Sequence, residues 1–255
     1  MAKRKSNHCK YSSVGQSKIR ENDIEAMFNG IAPRYDFLNH LLSFGIDKTW
    51  RRRLVKIVAK SSPQQVLDVA TGTGDLAIAL AKKQRDVDVL GIDISEDMIA
   101  VGKQKVNKLN LSNRITFQKA SSLNLPFASN HFDSAMVAFG VRNFEDPLAG
   151  LIEINRVLKP GTSLFVLEFT NPQNFIIRGI YNFYFTTILP WVGQKVSGHK
   201  TAYTYLPKSV NSFNERDDFV SLLKQSGFIN AYYKQQNMGI VAIYIAKKPN
   251  PSYLS

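Results

Sequence analysis

The sequence has one cysteine in 255 residues, and that residue, Cys9, lies in a polar, basic stretch. A disulfide framework and a thiolate metal site are thereby excluded. The four histidines, His8, His40, His131 and His199, lack the spacing of metal ligands, so no metal is expected. No apolar run reaches the roughly 20 residues that cross a bilayer. The most apolar stretch, residues 175–192, is interrupted by Arg178 and Pro190. The first residues include no apolar signal core, so secretion is not expected, and their basic, acid-poor tail lacks the amphipathic face of a transit peptide. Acids are scarce as well. Asp and Glu number 20 against 33 Lys and Arg, a net charge of +13, and the first twenty residues hold six basic residues and no acid. Such a balance suits a membrane lipid, a nucleic acid or a solvated tail. Nucleic acid is not expected: the basic residues have no interleaved stacking aromatics, and Cys9 is badly placed as a nucleophile for pyrimidine carbons.

What is present is the chain of an ordinary globular protein, 44% hydrophobic and 21% charged, long enough to bury a substantial core. Its centre is Val66-Leu67-Asp68-Val69-Ala70-Thr71-Gly72-Thr73-Gly74-Asp75, followed by Leu76-Ala77-Ile78-Ala79-Leu80-Ala81. This reads as a buried strand, a glycine-rich turn and a helix. Gly72 and Gly74 let the backbone approach a ligand, and the following helix aims unpaired N–H groups at the same place. Asp93 ends a second apolar run, Val87–Ile92, where a nucleotide fold keeps a carboxylate for ribose hydroxyls. Two acids favour S-adenosylmethionine over NAD. Asp68 inside the strand would hold the cationic amino-acid end of the former, and Asp68 and Asp75 would both repel a pyrophosphate. The alternative is that both acids only cap the helix.

Residues 1–20 read as a basic disordered arm, and residues 21–60 as short aromatic helices broken near Pro33 and Gly45. These helices either pack ahead of the sheet or form a lid, with Tyr35, Asn39 and Trp50 as polar handles on apolar bodies. Strands are expected at 65–69, 87–92, 115–120, 132–139 and 162–169, with helices between them. A helix over 147–158 is stopped by Lys159-Pro160-Gly161. That order implies an α/β fold with a mostly parallel, doubly wound sheet. An aromatic insertion at about 170–210 interrupts the rhythm, as a buried or an interfacial element. A helix over 214–227 and a C-terminal antiparallel hairpin close residues 61–249.

The segments Met27 to Asn39, Ser43 to Arg51, Leu67 to Asp75, Phe139-Gly140-Val141-Arg142-Asn143, Arg156 to Gly161, Leu167-Glu168-Phe169 and Tyr203 to Val210 resemble the C-methyltransferases of ubiquinone and menaquinone biosynthesis. That group is a branch of the Rossmann-like, S-adenosyl-L-methionine-dependent methyltransferases. The resemblance covers nearly everything from Met27 to Ala246. It implies Thr73 in the glycine turn, Asp93 on the ribose, and Ser121 and Ser122 beside the adenine. Asn29 stands where relatives commonly carry Asp, and Ala138 where a serine is common. The implied reaction is methylation of a quinol carbon, which is nucleophilic once a neighbouring hydroxyl loses its proton. Arg142 would stabilise the phenolate as a fixed charge, or activate a water, because its own proton is held too tightly. Glu168, and more weakly Tyr203 or His199, would accept a proton. The structural alternative for Arg142 is an ion pair with Glu145 or Asp146. The resemblance further implies a prenylated quinol substrate, peripheral contact with anionic membrane on the cytoplasmic side, and an assembly that could be a homodimer. A nucleic-acid methyltransferase, an NAD-dependent oxidoreductase and a non-catalytic cofactor-binding module are the competing readings.

Overall fold

The computed structural model describes residues 20–189, 200–213 and 215–250, with the backbone alone over 200–204. The basic arm before Arg20, Pro190–Val192 and His199 lie outside the described residues. Seven strands form one sheet in the order β3-β2-β1-β4-β5-β7-β6. They are β1 (Gln65–Val69), β2 (Asp88–Asp93), β3 (Ile115–Lys119), β4 (Phe132–Ala138), β5 (Leu158–Phe169), β6 (Ile229–Gln236) and β7 (Val241–Lys247). The first five are parallel, whereas β7 runs antiparallel to both β5 and β6. This is the expected doubly wound α/β sheet with a closing hairpin.

Val66, Leu67 and Val69 alternate toward two faces that are both covered, which is why β1 reads as a nearly continuous apolar run. One face is covered by α3 (Ile46–Val58) and α4 (Asp75–Lys83), where Leu54, Val58 and Leu80 are fully buried. On the other lie α6 (Pro147–Val157) and the helix Asp217–Gln225, called α9 below, with Leu151, Ile154, Phe219 and Leu223 buried. Helix α5 (Glu96–Lys108) follows β2, capped by the Ser95 hydroxyl on Met98 N–H.

Ahead of the sheet, α1 (Glu21–Ile31) and α2 (Tyr35–Leu42) lie over its carboxyl edge. The turn into α3 uses Gly45 at φ 72°. The aromatic insertion folds as α7 (Phe175–Phe183), a wide turn over Tyr184–Ile188, and α8 (Lys200–Ser212) with Pro207 inside it. A third apolar cluster joins Ile31 and Leu38 of the first two helices to Met98, Tyr181, Phe185 and Val210.

Two boundaries differ from expectation by three residues or more. Strand β5 begins at Leu158, already paired with Phe132, and absorbs Pro160-Gly161 as an irregularity in register, with Gly161 at φ 78°. Helix α9 starts at Asp217 rather than 214, because Glu215 accepts from Asn171 N–H and Arg216 N–H donates to the Tyr244 hydroxyl. Leu54 has no exposed surface, so Leu54→Ala should lower unfolding stability by about 2–5 kcal/mol, read as a shift in denaturant midpoint at constant slope.

Candidate active site

Three parallel strands end in buried carboxylates along one edge of the sheet: Asp68 in β1, Asp93 at the end of β2 and Glu168 in β5. Burial raises the pKa of each, and the three are compensated differently. Asp93 is held by main chain: Gly72 N–H donates to one oxygen at 2.8 Å and Ser95 N–H to the other at 2.9 Å. Glu168 has a cation, since Arg142 Nη1 donates to it at 2.6 Å and Phe169 N–H at 2.9 Å. Asp68 has neither. The Thr71 hydroxyl donates to it at 2.7 Å, the Ala77 N–H also reaches it, and the nearest cation influence is Arg51. Burial pushes its pKa up to about 7.

The backbone around these acids is bent hard. Ala70 at the end of β1 and Phe139 at the end of β4 both have positive φ, 53° and 59°, a conformation that costs a non-glycine residue on the order of 1–3 kcal/mol. Gly72 (φ 56°) and Gly74 (φ 78°) carry the turn between them. A Cβ on Gly74 would stand 2.7 Å from the Phe117 ring, so this glycine serves packing as well as turning.

Three cavities meet here. The first, with an empty volume of about 630 Å³, is bordered by Asp93, Ser122, Gly72, Ile94, Met98 and Phe144. A second, about 340 Å³, holds Asp68, Thr73, Asp75 and Arg51. The third, about 700 Å³, is largely apolar: Met27, Ile31, Trp50, Phe169 and Leu206 line it with Asn39, Ser43, Asp47, Arg142 and Tyr205. The Tyr35 ring borders all three, and Arg51 separates the second from the third. Burial holds the Tyr35 phenol above its ordinary pKa, opposed chiefly by the positive charge of Arg51 and Arg142.

The first two cavities fit one bent ligand with a nucleoside at one end and an amino acid at the other. Asp93 keeps free lone pairs for a ribose diol, while Ile94, Met98 and Phe144 give an apolar slot for a base. Asp68 is an under-compensated buried carboxylate that fits an ammonium, and Arg51 fits a carboxylate. Ser122 borders the nucleoside cavity. Ser121 does not; its hydroxyl accepts from Leu123 N–H and caps its own loop. Thr73 is buried beneath the turn, donating to Asp36 at 2.5 Å and accepting from Lys105 at 3.0 Å.

Arg142 and Glu168, named separately from the sequence, form a single buried ion pair. The alternative pairing of Arg142 with Glu145 or Asp146 is not made. Glu145 accepts from Glu21 N–H, and Asp146 caps α6 by accepting from Ala149 N–H. Arg142 faces the apolar cavity, donates to the Phe139 carbonyl and lies over the Phe169 ring at 5.5 Å, leaving its Nε without a hydrogen-bond partner among the described residues. Glu168 stands behind it and does not line the cavity, which makes it a positioning residue rather than one facing a ligand. The side chain of Tyr203 and all of His199 lie outside the described residues. Tyr205, two residues on, donates to Asn143 at 3.0 Å.

Sequence reasoning missed a network that holds α2 over the turn. Lys105 donates to Asp36 at 2.6 Å and to Asp75 at 2.5 Å. Beside it Asp47 accepts from Ser43 at 2.7 Å and from His40 Nδ1 at 2.8 Å, and also pairs with Arg51. His40, Asp47 and Asp75 thus converge although their spacing gave no metal pattern, and the two acids are already matched by Arg51 and Lys105. Only the crowding of charged and polar types at 36, 40, 43, 47 and 51, at helical spacing, could have signalled this. Asn29, the departure noted in α1, accepts from the Ser95 hydroxyl at 2.6 Å and ties α1 to α5.

The sequence model of the ubiE/COQ5 methyltransferase family matches residues 16–248. A demethylmenaquinone methyltransferase of Porphyromonas gingivalis is 43% identical over 230 residues, which is 90% of this chain and 94% of the relative. The ubiquinone/menaquinone biosynthesis C-methyltransferase UbiE of Geobacter sulfurreducens is 43% identical over 243 residues, 94% of each. Among solved structures, a SAM-dependent methyltransferase of Thermotoga maritima, described as a possible histamine N-methyltransferase, superposes with a TM-score of 0.62 at 18% identity. The match covers 88% of this chain and 99% of that one, a likeness of fold.

Asp68 gives the site a testable pH signature. An ammonium needs the carboxylate form, so affinity for S-adenosylmethionine should fall as pH drops below about 7, measured by calorimetric titration. The folded-state pKa lies above the ordinary 3.8, so the stability this group contributes is present below about 4 and lost as pH rises to about 7. Asp68→Asn should therefore raise the melting temperature of the cofactor-free protein at about pH 8 while weakening cofactor binding at least about tenfold.

Proposed function

The chain belongs to the ubiE/COQ5 methyltransferase family, and from that premise we infer that it transfers a methyl group from S-adenosylmethionine to a ring carbon of a prenylated quinol. Demethylmenaquinol is the acceptor we propose, with the benzoquinol of ubiquinone synthesis as the second candidate. The observation that carries the reading is Arg142. It is a fixed cation whose Nε has no hydrogen-bond partner among the described residues, placed in an apolar cavity that shares the Tyr35 and Phe139 rings with the nucleoside cavity.

The bound cofactor supplies an electrophilic methyl on a sulfonium. Asp68 and Arg51 hold the amino-acid end, Asp93 and Ser122 the nucleoside. The quinol head lies beside Phe139, Phe169 and Trp50, which pack on one another, Trp50 edge-on to Phe169 and the other two pairs tilted. A quinol hydroxyl facing Arg142 gives up its proton to solvent more readily, because the guanidinium stabilises the phenolate in an apolar cavity. The ring carbon that gains the methyl then releases its own hydrogen to solvent as a proton. Glu168 and the Phe139 carbonyl fix the guanidinium plane. Tyr35, pressed against both cavities, excludes water and aligns the partners.

The prenyl tail requires an apolar exit. What supports delivery from a membrane surface is an apolar face beside the cavity, exposed among the described residues. Helix α7 exposes Phe175, Ile176, Ile180 and Phe183, and Phe44 is 80% exposed at the α2–α3 turn and contacts the Tyr184 ring. No helix among the described residues is long and apolar enough to cross a membrane. The protein on this reading works from the cytoplasmic side, at the bilayer surface.

Methyl transfer from labelled cofactor to reduced demethylmenaquinone, against the reduced benzoquinone precursor, tests the acceptor, and incorporation into neither overturns the quinol reading. Removing Arg142 alone would leave Glu168 a buried unpaired charge, so Arg142→Met/Glu168→Gln is the informative variant. It should fold, bind cofactor within about threefold of wild type and lose at least about 100-fold in kcat. Replacing Phe44 and Ile180 with serine should cut turnover of a long-chain quinol in vesicles while sparing a short-chain, water-soluble one.

A further inference from the structure

A surface cleft with an empty volume of about 700 Å³ lies between α3 and α4, on the far side of Arg51 and Asp75, which it shares with the second cavity. Three of its lining residues, Lys48, Arg52 and Lys82, are exposed and pair with no carboxylate among the described residues. Lys48 and Arg52 stand four residues apart on one face of α3, and Lys56 continues the stripe. The acid in the cleft, Asp75, is matched by Lys105, so the cleft carries a surplus of positive charge. One lip is the segment that joins the lining residues His40 and Lys48, and it carries three exposed apolar residues, Leu41, Phe44 and Ile46.

Unpaired cations in a concave pocket, with large apolar side chains at the lip, describe an anion attached to a hydrocarbon body. We propose that this cleft binds the phosphate of an anionic phospholipid headgroup while Phe44 and Leu41 enter the acyl region. The inference rests on the membrane reading given above and deepens it: the apolar face sets depth, and the cleft selects the lipid and fixes the rotation of the protein on the surface. A nucleic-acid phosphate is the other source of such an anion. The apolar lip disfavours it, because a polynucleotide backbone would leave Phe44 and Ile46 facing water or charge.

The test is co-sedimentation of the full chain with vesicles of phosphatidylcholine, with and without about a third phosphatidylglycerol, at about 0.1 M salt. Wild type should bind the anionic vesicles more tightly, and Lys48→Glu/Arg52→Glu should lose about thirtyfold or more of that preference, the size expected for two basic contacts to an anionic surface. Its binding to neutral vesicles and its methyl transfer to a short-chain, water-soluble quinol should not change, which excludes misfolding. Neutral and anionic vesicles binding wild type equally would overturn the cleft and leave the membrane reading intact. The cleft also fails if Lys3→Gln/Arg4→Gln/Lys5→Gln abolishes the preference and the α3 variant keeps it, or if the α3 variant loses RNA binding but no vesicle binding. Absence of binding to either vesicle overturns both readings while leaving methyl transfer to the soluble quinol unaffected.

Discussion

A carboxylate that has been taken out of water must find compensation, and the edge of this sheet is organised by how three of them do so. Asp93 is satisfied by main-chain donors that the glycine turn and the Ser95 cap supply. Glu168 is satisfied by Arg142. Asp68 is left with a threonine hydroxyl and a single backbone donor. The first two acids are finished structures that orient other groups. The third has the fewest donors of the three, which is what suits it to the cationic ligand proposed for it. Binding strength for such a ligand is therefore stored as instability of the empty state.

The same logic explains the strained residues. Ala70 and Phe139 sit at the ends of adjacent parallel strands, where the chain must turn sharply to leave room between the strand ends. Gly140 follows at once, and a Cβ there would stand 2.6 Å from the Ala70 Cβ, so the two bends are packed against each other. Neither could relax alone. The crevice for ligands is the space these paired bends open.

Much of this was legible in the sequence, and for identifiable reasons. The strand–turn–helix at 65–81 announced itself because buried parallel strands are apolar on both faces and because two glycines so close together have few other uses. The sheet class followed from the alternation of strands and helices. Contacts that depend on sequence separation were hidden. Nothing local in Arg142 points to a carboxylate 26 positions on, and the nearer acids, Glu145 and Asp146, were the natural but wrong partners. Lys105 and Asp36, 69 residues apart, looked like ordinary solvated charges until the fold brought them together over Thr73. The boundaries at Leu158 and Asp217 moved because tertiary pairing, to Phe132 and to Asn171 and Tyr244, overrode local stop and start signals.

The position of Tyr35, on the border of all three cavities, also bears on how such a protein can change over evolutionary time. A substitution there alters donor affinity, acceptor fit and the route between them together, so its effects depend on the background in which it arises. Residues that touch the acceptor cavity alone, such as Met27, Ile31 and Leu206, carry no such entanglement. Drift toward a new acceptor is open through those positions, one step at a time, while the aromatic at the junction stays fixed by epistasis.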